Sequence, residues 1–219
     1  VACDDGDVTE DSGADIIARA QLLLAAGEPS AASHVLDRHL RAHPDDARAM
    51  IELAHVLVVQ GDPGAAERIT RDALADHDAA PWARAMLSQI IALDPTRAEE
   101  SLQWSRAAVA ALPTAPGLHV VLAARLGRLG RTEDALREIA TATLLAPDDL
   151  SVRVALHVQS ARALLPAPGA AAEAAAHARA ALQLDPSDDT AAGLLAAAQA
   201  VASRPVTTLE GPHRPGGTA

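Results

Sequence analysis

The sequence predicts an all-α fold, on three observations. Apolar residues make up 49% of the 219, carried by Ala, Leu, Val and Ile, with no Phe, no Tyr and only Trp82 and Trp104. Ala and Leu are the strongest helix formers, and the aromatic residues that favour strands are nearly absent. The chain also repeats itself, because Gly27 and Gly61 stand 34 positions apart, as do Ala32 and Ala66. Finally, each repeated stretch holds two apolar-periodic runs around a short turn and closes on a Pro-Asp or related pair, which reads as helix, turn, helix.

Taken in order, AAGEPSAASHVLDRHLRAHPDD aligns with VQGDPGAAERITRDALADHDAA, and again with RLGRTEDALREIATATLLAPDD, which puts Gly130, Ala135 and Pro147 in the corresponding places. AAEAAAHARAALQLDPSDD repeats the second half as far as Pro186. The units are 13–46, 47–80, 81–115, 116–149 and 150–188, followed by a solvating helix over 189–202 that shields the last apolar face. Residues 1–12 form an acidic linker and 203–219, rich in Pro, Gly and Thr without apolar periodicity, a disordered tail. Two units depart from the pattern. The third has LDPTRAEES where the turn should hold Gly and is one residue longer; the fifth inserts LLPAPG between its helices and puts His157 and Ser160 where apolar residues are expected. His39 sits where other units place Ala, and Trp104, within a second helix, is expected in the core.

The stretch LVVQGDPGAAERI has two glycines ahead of a helical run, yet it lacks the GK[ST] ending and the preceding strand that a phosphate-binding loop requires. Gly61 is therefore expected to end a helix in the left-handed conformation, with Asp62 and Pro63 starting the next and Ala66 where two helices meet.

At Gly27, Ala32 and Pro44, then Gly61, Ala66 and Ala73, then Leu122, Ala123, Gly130, Ala135, Ala142 and Pro147, the pattern resembles the tetratricopeptide repeat (TPR) family, over about residues 13–186. The resemblance implies a right-handed α-solenoid of about five helix-turn-helix repeats plus a C-terminal capping helix. In such a solenoid the first helix of each pair lines a concave face that binds a protein or extended peptide segment. Family groove positions fall on Ile17, Gln21, Leu24 and Ala25, on Arg48, Ile51, His55, Val58 and Val59, and on Trp82, Ala85, Gln89 and Leu93. They continue through Val120, Ala124 and Arg128 to Val154, Val158 and Arg162. Gln21, His55 and Gln89 offer hydrogen bonds to a peptide backbone, and Arg48, Arg128 and Arg162 offer partners for a carboxylate. Trp82 reads either as an interface anchor or as a residue packed on the preceding unit. The chaperone-tail clamp of the family uses Lys and Asn, and this chain has neither.

Charge and chemistry narrow the function. A net charge of -11 argues against a nucleic-acid surface. All 18 basic residues are Arg, a bias that suggests a GC-rich bacterial genome. No apolar stretch approaches the roughly 20 residues that cross a bilayer. His39 and His43 share a helical face at zinc-ligand spacing, but no third ligand is evident, and histidines at a helix end also complement its dipole. No serine elbow, Cys-His pairing or apolar carboxylate pair suggests a catalytic role, and no cofactor is expected.

Cys3, the sole cysteine, lies in VACDDGD ahead of the acidic linker, in a chain that does not begin with Met. It resembles the end of a bacterial lipoprotein signal, in which small residues precede a lipidated Cys; the alternative is an incidental thiol in a fragment. The functional expectation is a non-enzymatic scaffold in a bacterial cell-envelope machine, in the periplasm or at the outer surface, with any membrane contact made through a lipid anchor at Cys3. The alternatives are a structural subunit packing through its outer faces, or the interaction region of a cytoplasmic regulator or larger enzyme.

Overall fold

The computed structural model describes residues 12–203; Cys3 with the acidic linker around it, and the tail beyond residue 203, lie outside them. Among the described residues there are eleven α-helices and no strand. Five pairs follow one another: α1 (Gly13–Ala25) with α2 (Pro29–Ala42), α3 (Ala47–Val59) with α4 (Pro63–Asp72), α5 (Ala80–Ile91) with α6 (Ala98–Ala111), α7 (Pro116–Arg128) with α8 (Thr132–Leu145), and α9 (Leu150–Leu164) with α10 (Ala171–Leu184). A single helix, α11 (Asp189–Ala202), ends the stack.

Local chemistry explains the boundaries. The second Asp of each Pro-Asp-Asp stop begins the next helix, since Asp46 accepts from the Ala49 amide and Asp149 from the Val152 amide. Asp62 and Asp188 cap α4 and α11 in the same way. Ser12 and Asp15 form a reciprocal capping box at the start of α1. Pro29, Pro63 and Pro116 each open a helix, where a missing N–H leaves nothing unsatisfied.

Three of the pairs turn through the same Schellman closure. In α3 the Asp62 amide donates to Leu57 O and the Gly61 amide to Val58 O, with Gly61 at φ +83. Gly27 and Gly130 repeat this arrangement at the ends of α1 and α7. The α5–α6 connection has no such glycine. It passes through a 3-10 turn over Pro95–Arg97, fastened by Arg97, which donates to both Glu67 carboxylate oxygens on α4 (2.9 and 3.0 Å) and to Glu100 (2.8 and 2.9 Å). Hydrogen bonds from Arg97 first, and then from Arg71, hold the Glu67 carboxyl at about 2.

Each odd-numbered helix packs on the next odd-numbered one, α1 on α3, α3 on α5 and so on to α9 on α11, whereas the even-numbered helices pack on odd neighbours and not appreciably on one another. The rows are thus closer along the odd side, and the stack curves into a solenoid with α1, α3, α5, α7 and α9 on its inner face. The core is a chain of small clusters strung along the junctions, such as Ala20, Ala32, Leu36, Ala49, Leu53 and Val56 between the first two pairs.

Several polar residues at helix contacts find partners. The Ser101 hydroxyl donates to Ser88 O at 2.7 Å across α5 and α6, and buried His119 places Nδ1 2.6 Å from a Glu138 oxygen and Nε2 2.9 Å from Pro113 O. His39 sits 2.8 Å from the same Asp46 carboxylate that caps α3. His157, at one of the apolar positions, meets His177 of α10 with their Nδ1 atoms 3.1 Å apart; burial, then His177 and Arg153, lower its pKa. Trp104 corrects its expected core placement: it is half-buried, with the Arg71 guanidinium 5.8 Å from its ring centroid in cation–π contact.

Two outcomes test this account. Gly61→Ala forces an L side chain into the left-handed region and should lower unfolding free energy by about 1 kcal/mol. Gly64→Ala, one turn later inside α4, should leave it equal or raise it; urea unfolding of both reads the difference. For Glu67 the folded pKa is depressed, so its contribution is present above the ordinary carboxylate pKa and lost as pH falls toward about 2. Glu67→Gln should therefore lower stability by about 1 kcal/mol at pH 7, solvent-screened as the pair is, and the gap from the parent should close near pH 2 in thermal melts.

Candidate functional site

The inner face carries a cleft of about 510 Å³ where α1, α3 and the start of α5 converge. Ile17 and Gln21 come from α1, Arg48, Ile51 and Glu52 from α3, and Ala79 and Trp82 from the beginning of α5. The helical period explains the set: Ile17 and Gln21 are one turn apart, as are Arg48 and Glu52, so each pair projects from one stripe of its helix. Small Gly13, Ala14 and Ala18 on α1 leave the space open.

Trp82 forms one wall and remains 45% exposed, a large fraction for an indole. Its other edge packs forward on α7, where a Cβ at Gly117 would stand 3.6 Å from Cζ3. The residue is thus both cleft wall and inter-unit contact, and the unit it touches through Gly117 is the following one. Polar groups in the cleft differ in freedom. Gln21 Nε2 donates to Glu52 at 3.2 Å, whereas Arg48 is exposed and, among the described residues, pairs with no carboxylate.

Of the residues the sequence singled out, Ile17, Gln21, Arg48, Ile51 and Trp82 line this one cleft. Leu24 does not: it is half-buried and packs into the cluster around Leu36 and Leu53. His55 and Val59 are exposed farther along α3, with His55 Nδ1 4.0 Å from Glu52, and Gln89 is exposed on α5. Arg162 lines a separate cleft of about 610 Å³ built by α9, the end of α10 and the start of α11, where it donates to Gln159 at 3.2 Å. Arg128 lines neither of these two clefts and donates to Ala92 O at the end of α5, 2.8 Å away.

Sequence reasoning missed two residues. Glu52 shares the Arg48 stripe of α3, so spacing alone would have placed it in the cleft. Arg125 lies three residues before Arg128 and, with it, lines a recess of about 460 Å³ at the α5–α6 turn; nothing in its spacing distinguishes it from a solvated arginine. No group of three His, Cys, Asp or Glu among the described residues is placed to hold a metal ion, and the His39 and His43 rings lie against each other with centroids 4.7 Å apart. No helix among them is long and apolar enough to cross a membrane.

No curated protein matches the chain. Residues 23–90, from the end of α1 into α5, match the tetratricopeptide repeat family model. Among solved structures, a thermophilic TPR protein of Thermus thermophilus superposes with a TM-score of 0.70 at 24% identity, over 85% of this chain and 98% of that one. A tetratricopeptide repeat protein of Parabacteroides merdae reaches a TM-score of 0.67 at 17% identity, over 84% of this chain and 70% of its own. Yeast Tom70 reaches 0.61 at 18% identity, over 86% of this chain and 39% of Tom70. Residues 23–90 thus carry the tetratricopeptide repeat match, and the glycine-closed helix pairs and the shared solenoid extend the same fold along the described residues.

Proposed function

We propose that the chain is a protein-interaction scaffold that takes a segment of a partner protein along its inner face, anchored in the cleft between α1, α3 and α5. Tetratricopeptide repeat proteins are generally non-catalytic scaffolds that bind proteins or peptides. The observation that carries the reading here is Trp82: a half-exposed indole at the wall of a concave cleft, beside an unpaired Arg48. Trp and Arg dominate interface energetics, and an apolar side chain of the partner gains most where it displaces water from such a wall. The unpaired Arg48 selects for a nearby acidic group.

The finer reading places this scaffold in the assembly of a bacterial cell-envelope machine, held at the membrane by a lipid on Cys3. Its support is the sequence VACDDGD, with small residues before the cysteine and acidic residues after it. Multiple acyl chains anchor firmly where one would not.

Partners captured by crosslinking in the native host provide the test. Trp82→Ala and Arg48→Glu, made separately, should each weaken partner binding by roughly tenfold or more, the scale of a hot-spot residue. Arg48→Glu should leave helicity and melting unchanged; binding that survives both substitutions would sink the cleft reading. Mass spectrometry of the mature protein from the host should find Cys3 as its first residue, carrying acyl chains. A free Cys3 thiol within the intact sequence would remove the anchor and leave the scaffold untouched.

A further inference from the structure

We propose that the recess at the α5–α6 turn is a carboxylate-binding site, in which Arg125 and Arg128 grip the anion and Ala92, Pro95, Ala98 and Leu129 hold the apolar stem that carries it. The inference rests on the peptide-binding reading and adds a chemical class for the partner. The recess shares no residue with the α1–α3–α5 cleft.

Arg125 is the argument. Its Nη1 reaches only Ser88 O, at a long 3.4 Å, and its Nε is buried with no hydrogen-bond partner. Burial first, and then the charges of Arg128 and Arg162, push its pKa down to about 10. The charged groups acting on it are thus two more cations, and no described carboxylate forms an ion pair with Arg125 or Arg128. Of the acids along the α5–α6 turn, Asp94 accepts from Thr96, Glu100 pairs with Arg97, and Glu99 is exposed and forms no ion pair with Arg125 or Arg128. A desolvated cation without a counter-charge destabilises the fold that holds it, and an arriving anion relieves that cost.

The form of the site favours a carboxylate. A guanidinium edge matches two coplanar oxygens. A phosphate brings three strong acceptor oxygens and up to about two charges, and beyond the two guanidiniums the recess offers it no further side-chain donor: the Ser101 hydroxyl is already committed to Ser88 O, and the other lining side chains are apolar. An aliphatic stem ending in a carboxylate fits both halves, and either an acidic side chain or a chain-terminal carboxylate supplies one.

Arg128 also covers the α5 C-terminal carbonyls, so the test must separate ligand binding from capping. Three acetylated Ala-Leu hexapeptides serve as probes: one with an internal Glu and an amidated end, one without Glu but with a free carboxyl end, and one with neither. They are titrated into the full chain while the arginine Nε–Hε NMR resonances are followed. One acidic peptide, which identifies the source of the carboxylate, should bind at least tenfold more tightly than the neutral probe. Arg128→Gln, at an exposed position, should abolish that preference as read at the Arg125 Nε–Hε resonance, and Arg38→Gln, outside both the cleft and the recess, should leave it. Arg125→Met should also abolish it while melting at or above the parent temperature. No preference for either acidic peptide, or a preference that survives Arg128→Gln, overturns the site. Loss of partner binding in Trp82→Ala is read independently, so failure here leaves the cleft reading standing.

Discussion

The structure depends on how closely its helices approach. With no Phe or Tyr to space them, contacts between neighbouring helices are made by alanines, and Ala20, Ala32, Ala49, Ala66, Ala135 and Ala181 are all fully enclosed. Each sits where a larger side chain would push two backbones apart, and close packing makes even one extra methylene costly. Small residues fix the separation, and leucines such as Leu36, Leu87, Leu102 and Leu118, also fully enclosed, each transfer a large apolar side chain out of water. The same economy of volume opens the cleft, because Gly13, Ala14 and Ala18 face it where bulkier residues would fill it.

Turns come second. Where glycine closes the first helix of a pair, the backbone satisfies its own carbonyls and needs no help. The α5–α6 connection lacks that closure, and side chains from neighbouring units take over: Arg97 ties the turn to Glu67, and Arg128 covers the Ala92 carbonyl. The irregular unit is therefore the one most dependent on its neighbours. Electrostatics concentrates there for the same reason, with Glu67 held strongly ionised on one side and Arg125 left without a counter-charge on the other.

The helical class and the repeat were legible because they rest on spacing. A glycine recurring at 34 residues has one physical meaning when a left-handed turn must recur, and Gly27, Gly61 and Gly130 all have positive φ. Pro-Asp-Asp was legible as a stop, but its second role, the last Asp capping the next helix, emerges only from geometry. The site was legible in part. Gln21, Arg48, Ile51 and Trp82 meet because helix period and repeat phase both carry through the first three units. Leu24 was misplaced because both the inner surface and the seam between helices are apolar, and periodicity separates them by less than the width of a side chain. Arg125 was invisible because what distinguishes it is the absence of a partner, and a sequence does not show whom a side chain fails to meet.

That distinction between engaged and free polar groups bears on what the inner face selects. Gln21 is already bonded to Glu52, so a partner hydrogen-bonding to it must first break an internal bond, and the exchange yields little net free energy. Arg48 loses only water. Affinity in the cleft therefore comes from apolar burial against Trp82 and Ile51, while discrimination comes from Arg48, the cation of this cleft that no described carboxylate neutralises. A ligand that is apolar throughout would bury the Trp82 wall yet leave Arg48 facing a drier environment without a counter-charge, which opposes binding. An apolar residue followed closely by an acidic one answers both demands, and a chain with a net charge of -11 repels acidic segments everywhere except where its arginines stand unpaired.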